Sequence, residues 1–171
     1  MALDEPATVY PEAEFAAALI RVVAEALKAT AGAAVVPSFG LDMGIFLRFG
    51  AGTRAVFLEA KSYGAQRQGG VGFGNGRGEG PQVDLLLCSA DQRAILDAHV
   101  RWAVADATRP LGSARYALLT CSEARNAVMG VVARGKQNNF RMSAINPHFV
   151  VWQSFCAALA RFLDVAADSA V

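Results

Sequence analysis

The chain has 171 residues, 54% of them apolar and 18% charged, with a formal net charge of +1. That length suits one domain with a full core, and the composition excludes a disordered chain; the near-zero charge excludes a global nucleic-acid signature and leaves only a local basic patch to serve such a partner. No apolar run approaches the roughly 20 residues of a membrane span, and Asp4 and Glu5 stand where a signal peptide carries basic residues, so a cytoplasmic protein with no membrane partner is expected.

After a lead-in over residues 1–10, Pro11 with Glu12 and Glu14 marks a helix start, since proline suits the first turn and acidic groups favour the positive end of the helix dipole. Phe15, Leu19, Val22, Val23, Ala26 and Leu27 recur at helical spacing, which predicts an amphipathic helix over about 12–30, closed near Gly32. Glu25 lies at the edge of that stripe, a solvated flank residue that could also lean over a neighbouring sheet end. Ala33 to Phe39 is a short β-like run ending around Pro37. From Asp42 to Phe49 the pattern alternates, with Met43, Ile45, Leu47 and Phe49 on one face. Gly50-Ala51-Gly52-Thr53 is turn chemistry, and Arg54 to Lys61 completes an antiparallel hairpin.

The register of that hairpin follows from its faces. Opposed residues point to the same side, and a one-residue slip moves a whole set across the sheet. Pairing Phe49 with Gly52 sets Asp42 opposite Glu59, and a slip of two sets it opposite Lys61. Both registers keep Met43, Ile45, Leu47 and Phe49 with Val56, Leu58 and Ala60. Registers of the other parity would drive Glu59 and Lys61 into the apolar face. Asp42, Glu59 and Lys61 therefore come together.

Residues 62–81 are glycine-rich, with alternating glycines from Gly70 to Gly80 that favour no regular element. A loop this long in a compact domain is usually functional or mobile. Val83 to Cys88 reads as a strand or a first helical turn. Ser89 caps a helix predicted to run to about Asp106 through Ile95, Leu96, His99, Val100, Trp102 and Ala103. Arg109-Pro110-Leu111-Gly112 is a turn, and Tyr116 to Cys121 a buried strand. Ser122 and Glu123 open a shorter helix to about Val132, Phe140 to Ile145 suits a strand, and Asn146-Pro147 starts a last helix to about Val165. The cysteines, Cys88, Cys121 and Cys156, have no CxxC spacing and sit in apolar runs, so buried free thiols are expected. His99 and His148 lack Cys or Asp partners at ligand spacing and read as structural. Trp102, Trp152, Phe149, Phe155 and Phe162 read as core or interface residues.

Two carboxylates and a lysine at the end of a hairpin suit Mg²⁺-assisted phosphodiester hydrolysis. Mg²⁺ takes hard oxygen ligands and keeps several waters, so one or two carboxylates suffice. The ion polarises the phosphate and acidifies water, while an ammonium steadies the attacking water or the developing charge.

Helix, short strand, Asp42 at the start of the next strand, Glu59-Ala60-Lys61 at the end of the third, then a helix and the strand Tyr116–Cys121: over about residues 12–121 this resembles the core of the PD-(D/E)xK nuclease superfamily. The resemblance implies an α/β, restriction endonuclease-like fold, with a mixed central β-sheet flanked by α-helices. Length and the lack of a dividing linker give one domain over 1–171, in which the resemblance places a nuclease core at about 12–121 and leaves a C-terminal helical extension at about 122–171. The implied activity is Mg²⁺- or Mn²⁺-dependent cleavage of DNA. Asp42 and Glu59 would hold the metal with the Ala60 carbonyl, Lys61 would be the catalytic lysine, and Glu25 matches an acidic residue some members carry on the first helix. Gln66, Gln68 and Gln82 are candidates for a glutamine found after the lysine in some members, and the sequence does not choose among them. Leu41 stands where the family has proline, and the glycine loop intrudes before the next helix.

With DNA as partner, the glycine loop could order over it, Arg67 and Arg77 on phosphates and Phe73 as a wedge. Arg134 to Asn139, with Arg141, is a second basic stretch that could meet phosphate. Cutting both strands of a duplex favours a homodimer, formed through the apolar last helix. Two other readings stay open: an inactive binding or assembly module on the same fold, and a phosphate or nucleotide binder built on the loop at 69–80. The loop lacks the Lys-Ser/Thr of a P-loop.

Overall fold

The computed structural model describes residues 3–28, 32–37, 41–49, 52–64, 71–72 and 79–168. Its centre is a five-stranded mixed sheet: β1 (Ala33–Pro37), β2 (Met43–Phe49), β3 (Gly52–Tyr63), β5 (Val100–Asp106) and β6 (Tyr116–Leu119), neighbours in that order. All pairings are antiparallel except β3 with β5. Two helices, α2 (Pro81–Leu87) and α3 (Ala90–Leu96), make the crossover between those parallel strands, as a parallel pair requires. A second, two-stranded sheet pairs β4 (Val71–Gly72) with β7 (Asn139–Phe140). The glycine-rich stretch thus contributes one short strand where the sequence favoured none; backbone pairing asks nothing of the side chains.

The sheet buries both faces. Met43, Ile45 and Leu47 of β2 and Val56, Leu58 and Ala60 of β3 lie beneath α1 (Glu12–Ala26) and α6 (Trp152–Asp168). There α1 supplies Phe15, Leu19 and Val23, while α6 supplies Trp152, Phe155 and Leu159. Phe162 and Leu163 of α6 are also turned into this core. Rings mesh within it: Tyr116 sits 4.9 Å from Trp152, which stacks on Phe155 at 5.6 Å between centroids. On the opposite face Trp102, Val104 and Leu119 meet Val83 and Leu86 of α2, residues of α4 (Cys121–Ala127) and Phe140. Each fully buried Leu or Phe contributes about 1.5–3 kcal/mol.

The lead-in is tied down rather than loose. Glu5 accepts hydrogen bonds from the Tyr116 hydroxyl at 2.8 Å and Arg115 Nε at 3.0 Å, and Trp152 Nε1 donates to the Leu3 carbonyl at 2.9 Å.

Several elements differ from expectation. The helix predicted from Ser89 to Asp106 is two elements, α3 and β5. Its start is as read, since Ser89 and Gln92 form a capping box, but α3 buries no residue and ends at Leu96. The Ser122 helix is capped instead by Thr120, which pairs reciprocally with Glu123, and it stops at Ala127. The strand predicted over Phe140–Ile145 is the end of β7 followed by a single helical turn, α5 (Met142–Ile145). Asn146-Pro147 opens a 3₁₀ turn (Asn146–His148), and α6 begins only at Trp152. The three cysteines are free; Cys121 is buried, while Cys88 and Cys156 are half-buried. Among the described residues, no helix is long and apolar enough to cross a membrane.

Candidate functional site

The hairpin closes with Phe49 opposite Gly52 and pairs down to Met43 opposite Leu58. The next step along that register sets Asp42 opposite Glu59, the first of the two alternatives. At this point β3 outruns β2: among the described residues, Glu59 to Tyr63 pair on one side only, with Trp102 to Asp106 of β5. The open edge is filled by side chains. The Ala60 N–H donates to Asp42 Oδ2 at 2.7 Å, and the Asp42 N–H donates to Glu59 Oε2 at 3.3 Å. These bonds tie the Asp42 carboxylate to the β3 backbone and the Glu59 carboxylate to the Asp42 backbone; directly opposed residues have Cβ atoms about 5 Å apart. A strand residue turns its N–H and C=O to the same edge, so the Ala60 carbonyl faces the Asp42 side as well.

Glu59 and Lys61 share the face away from α1 and are nearly inaccessible, 1% and 3% exposed. They are neither core hydrophobes nor solvated surface charges. Lys61 Nζ lies 2.6 Å from Glu59 Oε1 and 3.1 Å from Glu12 Oε1. The first contact is a short buried ion pair that occupies Glu59 Oε1.

The charges respond to this setting. Burial pushes the Glu59 carboxyl up to about 7; Lys61 opposes the rise, Asp42 adds to it, and a hydrogen bond from Gln82 opposes it more weakly. Burial works against the Lys61 ammonium, but Glu59 and Glu12 outweigh it and hold the pKa above the ordinary lysine value. Lys61 is therefore a fixed positive charge at neutral pH, suited to stabilising negative charge rather than to taking up a proton.

Of the glutamine candidates, Gln82 in the first turn of α2 reaches Glu59. Gly80, at φ +108°, makes room for it: a Cβ there would stand 2.8 Å from Gln82 Oε1. Gln66, Gln68, Arg67, Arg77 and Phe73 lie outside the described residues. Glu25 is not brought to the site. It pairs with Lys28 at 3.6 Å, thirteen residues along α1 from Glu12, roughly 20 Å at 1.5 Å per residue. The acidic residue that α1 does deliver is Glu12, read from the sequence only as a favourable charge at the helix start. Nothing in the sequence signalled this, because packing decides which strand tip the start of α1 meets. His99 and His148 stay structural: His99 Nδ1 contacts the Ala55 carbonyl at 3.2 Å, and His148 lies 3.7 Å from Glu123.

Two carboxylates and a carbonyl at one strand end are oxygen donors of the kind a hard divalent cation such as Mg²⁺ takes, with water completing its shell, while Glu59 Oε1 is already paired with the Lys61 ammonium. Among the described residues no cluster of three or more His, Cys, Asp or Glu could hold a metal, so an ion here would rest on this smaller set. No family model, curated protein or solved structure matches the chain.

Proposed function

We propose that the chain is a restriction endonuclease-like, Mg²⁺- or Mn²⁺-dependent nuclease that hydrolyses phosphodiester bonds in DNA. The observation that carries this is the pair of bonds at the end of β3, Ala60 N–H to the Asp42 carboxylate and Asp42 N–H to the Glu59 carboxylate, with Lys61 buried beside them. Strand order supports the reading too: three antiparallel strands after a helix, then a crossover to a strand parallel to the third. In that scheme the strand following the crossover is β5, not Tyr116–Leu119.

Asp42, Glu59 and the Ala60 carbonyl would hold the ion. When bound it would polarise the scissile phosphate and acidify the attacking water. Lys61, kept charged by Glu59 and Glu12, neutralises charge that develops on the phosphoryl oxygens. Gln82 orients the Glu59 carboxylate, and Glu12 holds the ammonium from its other side. The buried charges would be costly as structure alone, because an ion pair removed from water seldom outperforms packed apolar residues. That cost is better explained by chemistry than by stability.

One observation favours a second reading, an inactive module. Lys61 is already engaged by two carboxylates, so the cluster could be a closed charge network. Incubation of plasmid and oligonucleotide DNA with Mg²⁺ or Mn²⁺ separates the two. Cleavage that EDTA, Glu59→Ala and Lys61→Ala each abolish supports the nuclease; cleavage surviving both substitutions refutes this site, and none from folded wild type favours the module.

A further inference from the structure

An open cavity of about 490 Å³ is lined by Leu41, Phe57, Pro81, Asp84, Leu85 and Leu96 among others. Three of these neighbours tie it to the site. Leu41 directly precedes Asp42, Pro81 directly precedes Gln82, and Phe57 lies on the Glu59 face of β3, two residues or about 7 Å along the strand. Its walls are apolar, with the Asp84 carboxylate as a hydrogen-bond acceptor. Such a volume falls in the range of small-ligand pockets.

The same Asp84 joins the cavity to a basic loop, since its Oδ1 pairs with Arg134 Nη2 at 2.7 Å. That loop is built, not slack. The buried Asn138 side chain accepts from the Ala133 N–H at 3.2 Å and donates to the carbonyls of Ala133 and Lys136 at 3.1 and 3.0 Å. The main chain on either side closes through Met129 N–H to the Asn139 carbonyl and Arg141 N–H to the Ala127 carbonyl. Arg134 and Lys136 are thereby held exposed beside α2. The apolar cavity and the cationic loop thus meet at Asp84, and the cavity wall carries residues next in sequence to Asp42 and Gln82.

We infer that the preferred substrate is single-stranded DNA, with one unstacked base in this cavity and neighbouring phosphates on Arg134 and Lys136. The inference rests on the nuclease reading and names its substrate class. A base in a duplex is stacked and paired and must be extruded to enter a pocket, whereas a single strand offers it without that cost. Apolar contact with a base face and cationic contact with the backbone are the two terms from which single-strand binding is built.

The test is binding by the full chain to a labelled single strand and to the matching duplex, with Ca²⁺ replacing Mg²⁺. The single strand should bind about tenfold more tightly. Filling the cavity by Leu96→Trp or Leu85→Trp should erase the preference, provided the melting curve shows a folded variant. Replacing both Arg134 and Lys136 by alanine should weaken binding and lower the log–log salt slope by about 1.4, at about 0.7 per single-strand phosphate contact. Equal binding of strand and duplex, no binding of either, or a preference untouched in both tryptophan variants overturns the assignment. Cleavage is read separately. A chain that binds in this way yet never cuts refutes the hydrolytic reading alone, and one that cuts duplex without the preference refutes the cavity alone.

Discussion

Glu59 makes the sharpest prediction, because its burial should be visible as pH-dependent stability. Its carboxyl ordinarily titrates at 4.5 and here at about 7. At about 1.4 kcal/mol per unit, that rise corresponds to about 3 kcal/mol. The folded state binds this proton more tightly than the unfolded chain, so the contribution is fully present below pH 4.5 and is lost as pH rises through 7. In EDTA, urea unfolding of wild type and Glu59→Gln between pH 5 and 8 isolates the effect, since the other carboxylates titrate in both. Wild type should lose about 2–3 kcal/mol relative to the variant over that interval. A divalent ion should reverse the trend, because it binds the ionised carboxylate and displaces the proton; stabilisation by Mg²⁺ should be larger at pH 8 than at pH 6. Parallel curves for wild type and Glu59→Gln would refute the argument that burial dominates this carboxyl.

Two further substitutions probe the surroundings. Gly80→Ala strains a residue at φ +108° and pushes against Gln82 Oε1; it should cost about 1 kcal/mol or more and, by moving Gln82 off Glu59, raise the pH midpoint of metal-induced stabilisation. Glu5→Ala strips the nearly buried Arg115 of its carboxylate and the Tyr116 hydroxyl of its acceptor; urea unfolding should show a loss of about 2–3 kcal/mol, with metal affinity unchanged.

The hairpin was legible because a period-two pattern fixes parity, and parity alone collects Asp42 and Glu59. The choice between the two allowed registers needed the turn geometry. β5 was misread for the opposite reason. Val100, Trp102 and Val104 bury one face and Ala103 and Ala105 the other, and a strand covered on both sides loses its alternation. With no glycine or proline between Leu96 and Val100, the run continues the helical spacing of α3. The short elements β7 and α5 carry too few residues for any period to show. Among the glutamines, the sequence could not tell which would return to Glu59, because that depends on where the crossover starts. Glu12 was hidden by a sufficient local explanation, the helix dipole, which said nothing of the strand tip that α1 meets.

Whether the edge of β3 is a metal centre is decided by titration with Mn²⁺, followed by its paramagnetic signal. One ion should bind per chain, lost in Asp42→Asn and in Glu59→Gln but retained in Lys61→Met, whose pH dependence should move upward because Lys61 no longer pulls the Glu59 pKa down. Binding that survives both carboxylate substitutions, or a folded wild-type chain that binds no ion at pH 8, would contradict it.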